Sequence, residues 1–484
     1  MSAVDLAAER DVSPAYADIA RYFDLFVGEE DRWHERTRTY HALVQNVYRA
    51  LIPRDKRVLE IGCGRGDLLA ALEPARGLGV DVSPRMVEAA RGRHPALEFH
   101  CTAGEALELG ETFDYIVLSD LVPYVHDLQA LLAAVAAHCA PHTRVVVNSY
   151  SLAWRPLLAA LVSLRVRAPR PLRNWVAPRD LANLFELAGL DVVTQRTEIL
   201  LPVRLPVLSR LANGVLARIV GLRALTLTYW LVGRPAPRGR REEGVSVIVP
   251  CRNEAGSIAE IVERVPEMGR ETEIVFVEGH SVDDTRARIG AEIARHPERD
   301  MRLLVQSGRG KADAVQEGFA AARHEVLMIL DGDLTVAPED LTKFYDALAS
   351  GRGDMINGTR LVYGMEPGAM RFANMLGNKF FAWLLSFVLG QYVKDTLCGT
   401  KVLRRSDYER IRVHRHEFGA SDPYGDFDLL LGASLLGLKI LNVPVRYGAR
   451  TYGEPNISRF PDGARLLRLA LAGYRRIWMR PVER

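Results

Sequence analysis

From about residue 15 to 150, short β-branched runs alternate with Ala- and Leu-rich stretches whose apolar positions recur at helical spacing. The runs are Arg57–Ile61, Gly77–Val80, Leu97–His100, Tyr115–Leu118 and Arg144–Asn148. Strands alternating with helices predict a doubly wound α/β sheet. Residues 151–235 are richer in Leu, Arg and Pro. They hold one helix-plus-strand unit, Pro178–Thr197, with Ala188-Gly189 at the helix end, and a late strand, Leu225–Val232. Gly233–Gly244 (GRPAPRGRREEG) is polar, highly charged and broken by Gly and Pro, which marks a linker. A second α/β alternation follows, with runs at Val245–Val249, Glu273–Val277, Arg302–Gln306, Val326–Leu330, Asp354–Asn357 and Lys439–Val443. No repeat relates the halves. The pattern predicts two independent α/β domains, 1–235 and 245–484, joined by a linker at 236–244.

Composition narrows this little. A chain of 484 residues is comfortable for two or three domains. With 48% hydrophobic and 25% charged residues, packed cores rather than disorder are expected. A formal net charge of +3 gives no global nucleic-acid signal, so any basic surface must be local. Five scattered cysteines form no CxxC or Cys/His cluster, which fits a reducing cytosol better than a disulfide framework or zinc site. No apolar signal core opens the chain and no run of ~20 apolar residues occurs, so neither a secretory leader nor an ordinary membrane span is expected. Arginine outnumbering lysine, with abundant alanine, points to a GC-rich bacterial genome.

The first chemical signal is Arg57–Leu69 (RVLEIGCGRGDLL): a buried strand, a glycine-rich turn and a helix start. Glycines let backbone approach a ligand closely, and such a turn at the carboxyl end of a strand is a ligand cradle. A dinucleotide fold would space its glycines GxGxxG for a pyrophosphate. Here the spacing is GxGxG (Gly62, Gly64, Gly66), preceded by Glu60, an acid that repels pyrophosphate but suits a cationic sulfonium and its amino group. Asp81 ends the second run, where an acid accepts ribose hydroxyls; that position is shared with NAD folds and does not discriminate. With Val82-Ser83-Pro84-Arg85-Met86, Ala103-Gly104-Glu105 and Phe113–Asp120, the segment resembles the class I S-adenosylmethionine (SAM) methyltransferases. The resemblance implies SAM as cofactor, with Glu60, Gly62, Gly64, Gly66, Asp81, Met86, Glu105 and Ser119 around it. The methyl acceptor stays open. Asp120, Tyr124, His126 and Asp127 occupy the loop where it would bind. A sugar hydroxyl would need a general base, for which His126 is the candidate, although a lone His in such a loop is more often structural.

The second signal begins at Val245–Glu254 (VSVIVPCRNE), a buried strand closed by proline, after which Asn253 and Glu254 offer acceptors to a nucleoside. The next strand ends in Glu278-Gly279-His280-Ser281-Val282-Asp283, and Gly308-Arg309-Gly310-Lys311 is a basic turn suited to phosphate. Met328-Ile329-Leu330-Asp331-Gly332-Asp333 then sets two carboxylates at the end of an apolar strand. Hard oxygen ligands there suit Mg²⁺ or Mn²⁺ bridged to a diphosphate leaving group. Asp-x-Asp alone is common in turns. In order with the other segments it resembles the GT-A family 2 glycosyltransferases, with Glu278 standing where the family often has an Asp pair. The resemblance implies a nucleotide-sugar site at Pro250, Arg252, Asn253, Glu254, Glu278, Ser281, Asp283, Lys311 and Asp331, a metal on Asp331 and Asp333, and inversion at the anomeric carbon.

Further on, Gly358-Thr359-Arg360, Arg371, Asn374–Gly390, Asp395–Lys401 and the Tyr447–Ser458 loop resemble the polyprenyl-phosphate branch of that family, which includes the dolichol-phosphate mannose synthases. This implies Arg360, Arg371 and Arg450 as contacts of the acceptor phosphate. A polyprenyl phosphate is already anionic and needs no strong base. Asp426 and Asp428 sit where relatives with hydroxyl acceptors carry an acid, so a glycan acceptor stays open. Phe380–Leu389 is too short to span a bilayer but suits its surface, or else a core helix. Leu152–Arg170, Leu200–Leu225 and Arg465–Arg480 mix apolar residues with Arg and little acid, which favours an anionic membrane surface. The expectation is a bifunctional cytoplasmic enzyme, peripheral on the inner face of the membrane. Asp333 is its catalytic metal ligand, with Asp426, Asp428 and His126 as further catalytic candidates. The competing readings are a single active glycosyltransferase with a non-catalytic docking module, and an NAD-linked first half.

Overall fold

The strands of the first sheet are β1 (Arg57–Ile61), β2 (Arg76–Asp81), β3 (Glu98–Cys101), β4 (Phe113–Ser119), β5 (Cys139–Tyr150), β6 (Leu190–Glu198) and β7 (Thr228–Pro235). Those of the second are β8 (Val245–Cys251), β9 (Thr272–Glu278), β10 (Asp300–Val305), β11 (Val326–Ile329), β12 (Met355–Thr359), β13 (Lys401–Arg404) and β14 (Ile440–Pro444). The structure is a computed structural model that describes residues 16–27, 30–164, 171, 174–203, 205–218, 222–237, 239–362, 372–415, 422, 425–448 and 459–478. They form two compact units, one ending at Ala236 and the other running from Pro237 to Ile477. Each sheet belongs to one unit.

The first sheet has the order β3-β2-β1-β4-β5-β7-β6. β1 is parallel to both β2 and β4, and its apolar positions are buried on both faces, as helix-covered parallel strands require. β7 runs antiparallel between β5 and β6, so the sheet is mixed rather than wholly parallel. β5 begins five residues earlier than the apolar run Arg144–Asn148 because its first turn of chain, with exposed Pro141 and His142, carries no burial signal. The chain leaves β1 toward β2 and β3, then returns to add β4 and β5 on the other side. That reversal opens a crevice at the carboxyl ends of β1 and β4.

The second sheet has the order β10-β9-β8-β11-β13-β12-β14, with the same reversal between β8 and β11. β13 is antiparallel to β11 and β12. Because it runs backwards, its first residue, Lys401, and the preceding loop lie at the edge where β11 ends. The last residues before β8 are fastened to this unit: Arg241 N–H donates to the Ala349 carbonyl at 3.0 Å, Gly244 N–H to Glu325 at 3.0 Å, and Arg404 Nε to Glu243 at 2.9 Å. The apolar segment Phe380–Leu389 lies in helix Phe372–Leu389, with Leu385, Val388 and Leu389 buried and Phe380 and Trp383 exposed. Among the described residues no helix is long and apolar enough to cross a membrane.

Candidate active sites at the two strand crossovers

At the β1/β4 crevice lies a cavity of about 220 Å³. Glu60, Gly62, Gly64, Asp81, Met86, Glu105 and Ser119 all line it. Gly64 adopts φ +51° and nothing lies within 4 Å of where its side chain would project, so the turn leaves open space toward a ligand. Gly64 N–H donates to one Asp81 carboxylate oxygen at 2.9 Å and Ser83 N–H to the other at 3.0 Å, tying the turn to the end of β2. Burial raises the Asp81 carboxyl, and these N–H donors offset part of that rise. Glu60 is 2% exposed, and its Oε2 finds no hydrogen-bond partner. Burial pushes its carboxyl well above the ordinary range, with Asp81 and Asp67 adding to the rise against a backbone donor at Leu69. A buried carboxylate oxygen lacking a donor is costly unless something fills that role. A cationic amino group in the cavity would supply that donor and a sulfonium a counter-charge, so the residues present fit SAM.

Gly66 is not part of the cavity wall. It takes φ +74° as the residue before helix Asp67–Ala71, and a side chain there would collide with the Phe99 ring. His126, the expected base, has an exposed side chain outside the cavity, and its backbone N–H donates to Tyr16 Oη at 2.8 Å. The cavity instead receives Asp120, a non-glycine residue at φ +51° just after β4. Tyr40 Oη donates to both Asp120 oxygens at 2.9 and 2.8 Å, Asn148 Nδ2 donates to Oδ1 at 2.6 Å, and Tyr48 Oη donates to Asn148 Oδ1 at 2.7 Å. Burial, then the Asp120 charge, raises both phenols, which keeps them as donors. Tyr40 and Tyr48 lie eight residues apart on one face of helix Glu30–Leu51, a spacing that reads as core in the sequence. Tyr16 also donates to Glu105, closing helix Ala17–Phe26 over the cavity.

In the second unit, the loops after β8 and β9 are stitched together. Asn253 N–H donates to Ser281 Oγ at 3.0 Å, Val282 N–H returns to Asn253 Oδ1 at 2.9 Å, and Glu254 N–H donates to Thr285 Oγ1 at 2.9 Å. Glu278 is buried and accepts from Ser281 N–H at 2.5 Å, while Asp283 accepts from Ala255 N–H at 3.4 Å and Thr285 N–H at 3.1 Å. Pro250 leads into this loop pair, and the Arg252 side chain is exposed. The basic turn at 307–311 differs from expectation. Its Ser307 and Gly308 N–H groups are taken by Glu317, at 2.8 Å each, and that of Arg309 by Asp313 at 2.9 Å. The turn therefore offers the Lys311 side chain and the first N–H groups of helix Gly310–Ala321 rather than those of residues 307–309.

That side chain meets the Asp-x-Asp motif. Lys311 Nζ is 2.5 Å from Asp331 Oδ1, and Lys401 Nζ is 2.9 Å from Asp426. Burial would raise the Asp331 carboxyl, but Lys311, then Arg360 and Lys401, outweigh it and hold it below its ordinary value. Burial would depress the Lys311 ammonium, but Asp331, Asp426 and Asp333 outweigh it and raise it. Asp333 accepts from Thr335 N–H at 3.2 Å and Oγ1 at 2.8 Å. Three carboxylates against two ammonium groups leave net negative charge, and an ionised Asp331 is a hard oxygen donor, so the set fits a divalent cation. Gly399 packs against Asp331 and Lys311 so closely that any side chain would strike both.

Asp426 thus joins the cluster and Asp428 does not. Two residues on along the same helix, Asp428 turns to Arg415, whose Nε is 2.6 Å away. Burial, then the neighbouring Asp422, pushes its carboxyl up to about 6 against Arg415. Asp422, which sequence reasoning missed, accepts from the N–H groups of Phe427 at 2.7 Å and Asp428 at 3.1 Å. Arg360 is engaged inside the fold: Nε and Nη2 bind both Asp395 oxygens at 2.7 and 2.9 Å, and the guanidinium lies 4.9 Å from the Tyr447 ring centre. Arg371 and Arg450 lie outside the described residues.

Comparison with known proteins agrees with this division. Residues 32–195 match a methyltransferase domain family and residues 246–412 match glycosyl transferase family 2. The chain is 30% identical over 223 residues to glycosyltransferase AglJ of Haloferax volcanii, covering 46% of this chain and 69% of that protein. It is 31% identical over 225 residues to a dolichyl-phosphate hexose transferase of the same organism, covering 46% and 90%. It is 31% identical over 153 residues to a ubiquinone biosynthesis O-methyltransferase of Bradyrhizobium diazoefficiens, covering 29% of this chain and 60% of that protein, so here it spans less than two thirds of the relative. Through its second unit the chain belongs to glycosyl transferase family 2, while residues 32–195 of its first unit match a methyltransferase domain family.

Proposed function

We propose that the second unit transfers a sugar from a nucleotide sugar to a polyprenyl phosphate, with inversion, and that the first transfers a methyl group from SAM to a sugar or glycolipid acceptor. The observation that carries the first part is the Asp331–Lys311–Asp426–Lys401 cluster at the β8/β11 reversal, with Asp333 beside it. Residues 250–254 and 278–283 hold the nucleoside, and Lys311 answers the diphosphate charge. A Mg²⁺ or Mn²⁺ ion held by Asp331 and Asp333 would supply Lewis-acid assistance to the departing diphosphate. An acceptor already anionic near neutral pH needs no proton removed. That agrees with an Asp426 already paired to Lys401 and an Asp428 turned away from the cluster.

In the first unit, Glu60 receives the cationic end of SAM with Met86 beside the methionine part, Asp81 the ribose, and Glu105 the adenine. The partly basic apolar surfaces fit a peripheral enzyme on the cytoplasmic face of a membrane, and fusion fits one glycan or glycolipid pathway. Residues 1–235 and 245–484 act as separate catalytic domains. A panel of nucleotide sugars with Mn²⁺, with and without a polyprenyl phosphate, scored by mass, tests the transfer. Asp333→Ala should abolish it and leave SAM binding by calorimetry unchanged. Loss of both together would refute separate sites, and absence of SAM binding by the wild type would reduce the first unit to a docking module.

A further inference from the structure

Two segments rise from one edge of the first sheet. β5 is parallel to β4, with Asn148 paired to Ser119, so residues 151–164 leave from the edge that carries the cavity. β6 is antiparallel to β7, as β7 is to β5, so β6 is parallel to β5. Its end, Glu198, pairs with Thr228, which pairs with Tyr150. Residues 199–227 therefore leave from the same edge. Trp154 Nε1 donates to the Leu225 carbonyl at 2.7 Å, joining the two segments into one surface. Beneath it, Leu158, Ile199 and Leu227 pack in the same cluster as Tyr40, whose hydroxyl holds Asp120 in the cavity.

The upper side of this surface is apolar and exposed. Helix Pro206–Gly214 presents Val207, 83% exposed, with Leu208 and Leu211 on the same face. Helix Arg155–Ser163 and the residue after it present Leu157 and Leu164, the latter 72% exposed. Exposed apolar surface on two such joined segments marks an interaction site. Charge identifies the partner. Residues 199–227 contain four arginines, of which Arg223 is exposed, and no Asp or Glu, and residues 151–164 contain the exposed Arg155 and no acid. Apolar anchors among cations without anions complement an anionic bilayer, where each Arg adds about 1 kcal/mol.

We propose that this rim of the first unit docks on an anionic lipid surface, and that the methyl acceptor is a membrane-borne amphiphile entering the cavity from it. The second clause rests on the methyl-transfer reading above; the docking does not. The test uses the full chain, floated with vesicles of phosphatidylcholine alone or with about a third phosphatidylglycerol. The wild type should float with the anionic vesicles only. V207D/L211D and, separately, L164D should lower the bound fraction about tenfold. Both should keep SAM binding by calorimetry and sugar transfer to a short-chain polyprenyl phosphate in detergent. L467D/L471D, on exposed positions of helix Arg459–Trp478 in the second unit, should still float. With labelled SAM and a membrane preparation, methyl groups should enter the lipid-extractable fraction.

The docking is overturned if neutral vesicles capture the chain equally, if the rim variants float like wild type, or if L467D/L471D alone abolishes flotation. It is also overturned if light scattering shows a dimer that V207D/L211D dissolves, since the patch then covers itself. Label confined to water-soluble products overturns the acceptor class. Failure of sugar transfer in the wild type counts against the second unit's reading and leaves the flotation result standing.

Discussion

Lys311 Nζ lies 2.5 Å from Asp331 Oδ1, so the first aspartate of the Asp-x-Asp motif holds a lysine where the proposed reaction needs it to hold a metal ion. A lysine and a divalent cation compete for one carboxylate, and the lysine must turn toward diphosphate charge for the ion to gain. Lys311→Ala removes the competitor. Mn²⁺ binding without nucleotide, measured by calorimetry, should tighten, while sugar transfer should fall about 100-fold for want of the cation facing the leaving group. Weaker Mn²⁺ binding in the variant would mean that Lys311 organises the metal site instead of guarding it.

Arg360 and Asp395 form a second pair with a different role. Burial would raise the Asp395 carboxyl, but Arg360, with Asn378, holds it down at about 2. The folded value lies below the unfolded value of about 4. Its stabilisation, about 3 kcal/mol, is therefore present above that unfolded value and lost as pH falls from about 4 toward 2. Asp395→Asn should leave the Arg360 charge buried without a counter-charge and cost about 3–5 kcal/mol, read as a lower urea midpoint near neutral pH. A variant as stable as wild type would show that Arg360 reaches other acceptors, and would return it as a candidate for the acceptor phosphate.

These pairs show where the sequence was readable. Asp331 and Asp333 are legible because they close an apolar run, and the run fixes which end of the strand they occupy. Glu60 is legible for the same reason. Asp120 with Tyr40 and Asn148 is not, since three separate elements converge there and Tyr40 sits at ordinary core spacing. The loop position of His126 fixes its backbone but not the direction of its ring, which lies outside the cavity. Asp426 and Asp428 look equivalent in the chain, yet the helix that begins at Asp426 turns them to different partners. β13 has four residues inside a motif-rich loop, too short for any periodicity, and its reversed direction is what brings Gly399 and Lys401 against Asp331.

Asp428 makes a prediction of opposite sign to Asp395. Burial, then Asp422, pushes its carboxyl up to about 6 against the pull of Arg415. The native state thus binds this proton more tightly than the unfolded chain, whose value is about 4. Stability from this group falls as pH rises from about 4 to 6, by up to about 3 kcal/mol at neutral pH. Asp428→Asn should flatten that part of the stability profile, measured as urea midpoints across the interval. Because Asp428 is turned away from the Asp331 cluster, sugar transfer to a polyprenyl phosphate should change less than tenfold, about 1.4 kcal/mol at most. A large loss of turnover at unchanged stability would make it the base for a hydroxyl acceptor.

Glu60 tests the other crevice. Its carboxyl is raised by burial, with Asp81 and Asp67 adding to the rise, and its Oε2 has no donor. A ligand that brings positive charge to that oxygen must bind the ionised form better than the protonated one, so binding and deprotonation are linked. SAM affinity should strengthen as pH rises through the acid range, and calorimetry in buffers of different ionisation enthalpy should record proton release on binding. Glu60→Gln keeps the shape but cannot ionise. It should bind SAM at least about tenfold more weakly, since a hydrogen bond to a charged group is worth about 1.5–3 kcal/mol, and it should release no proton. The demethylated product, S-adenosylhomocysteine, keeps the amino group and loses the sulfonium charge, which separates the two cations. If Glu60→Gln weakens both ligands equally, the carboxylate faces the amino group; if it weakens SAM alone, it faces the sulfonium. Affinity indifferent to the substitution and to pH would place the cationic end elsewhere in the cavity.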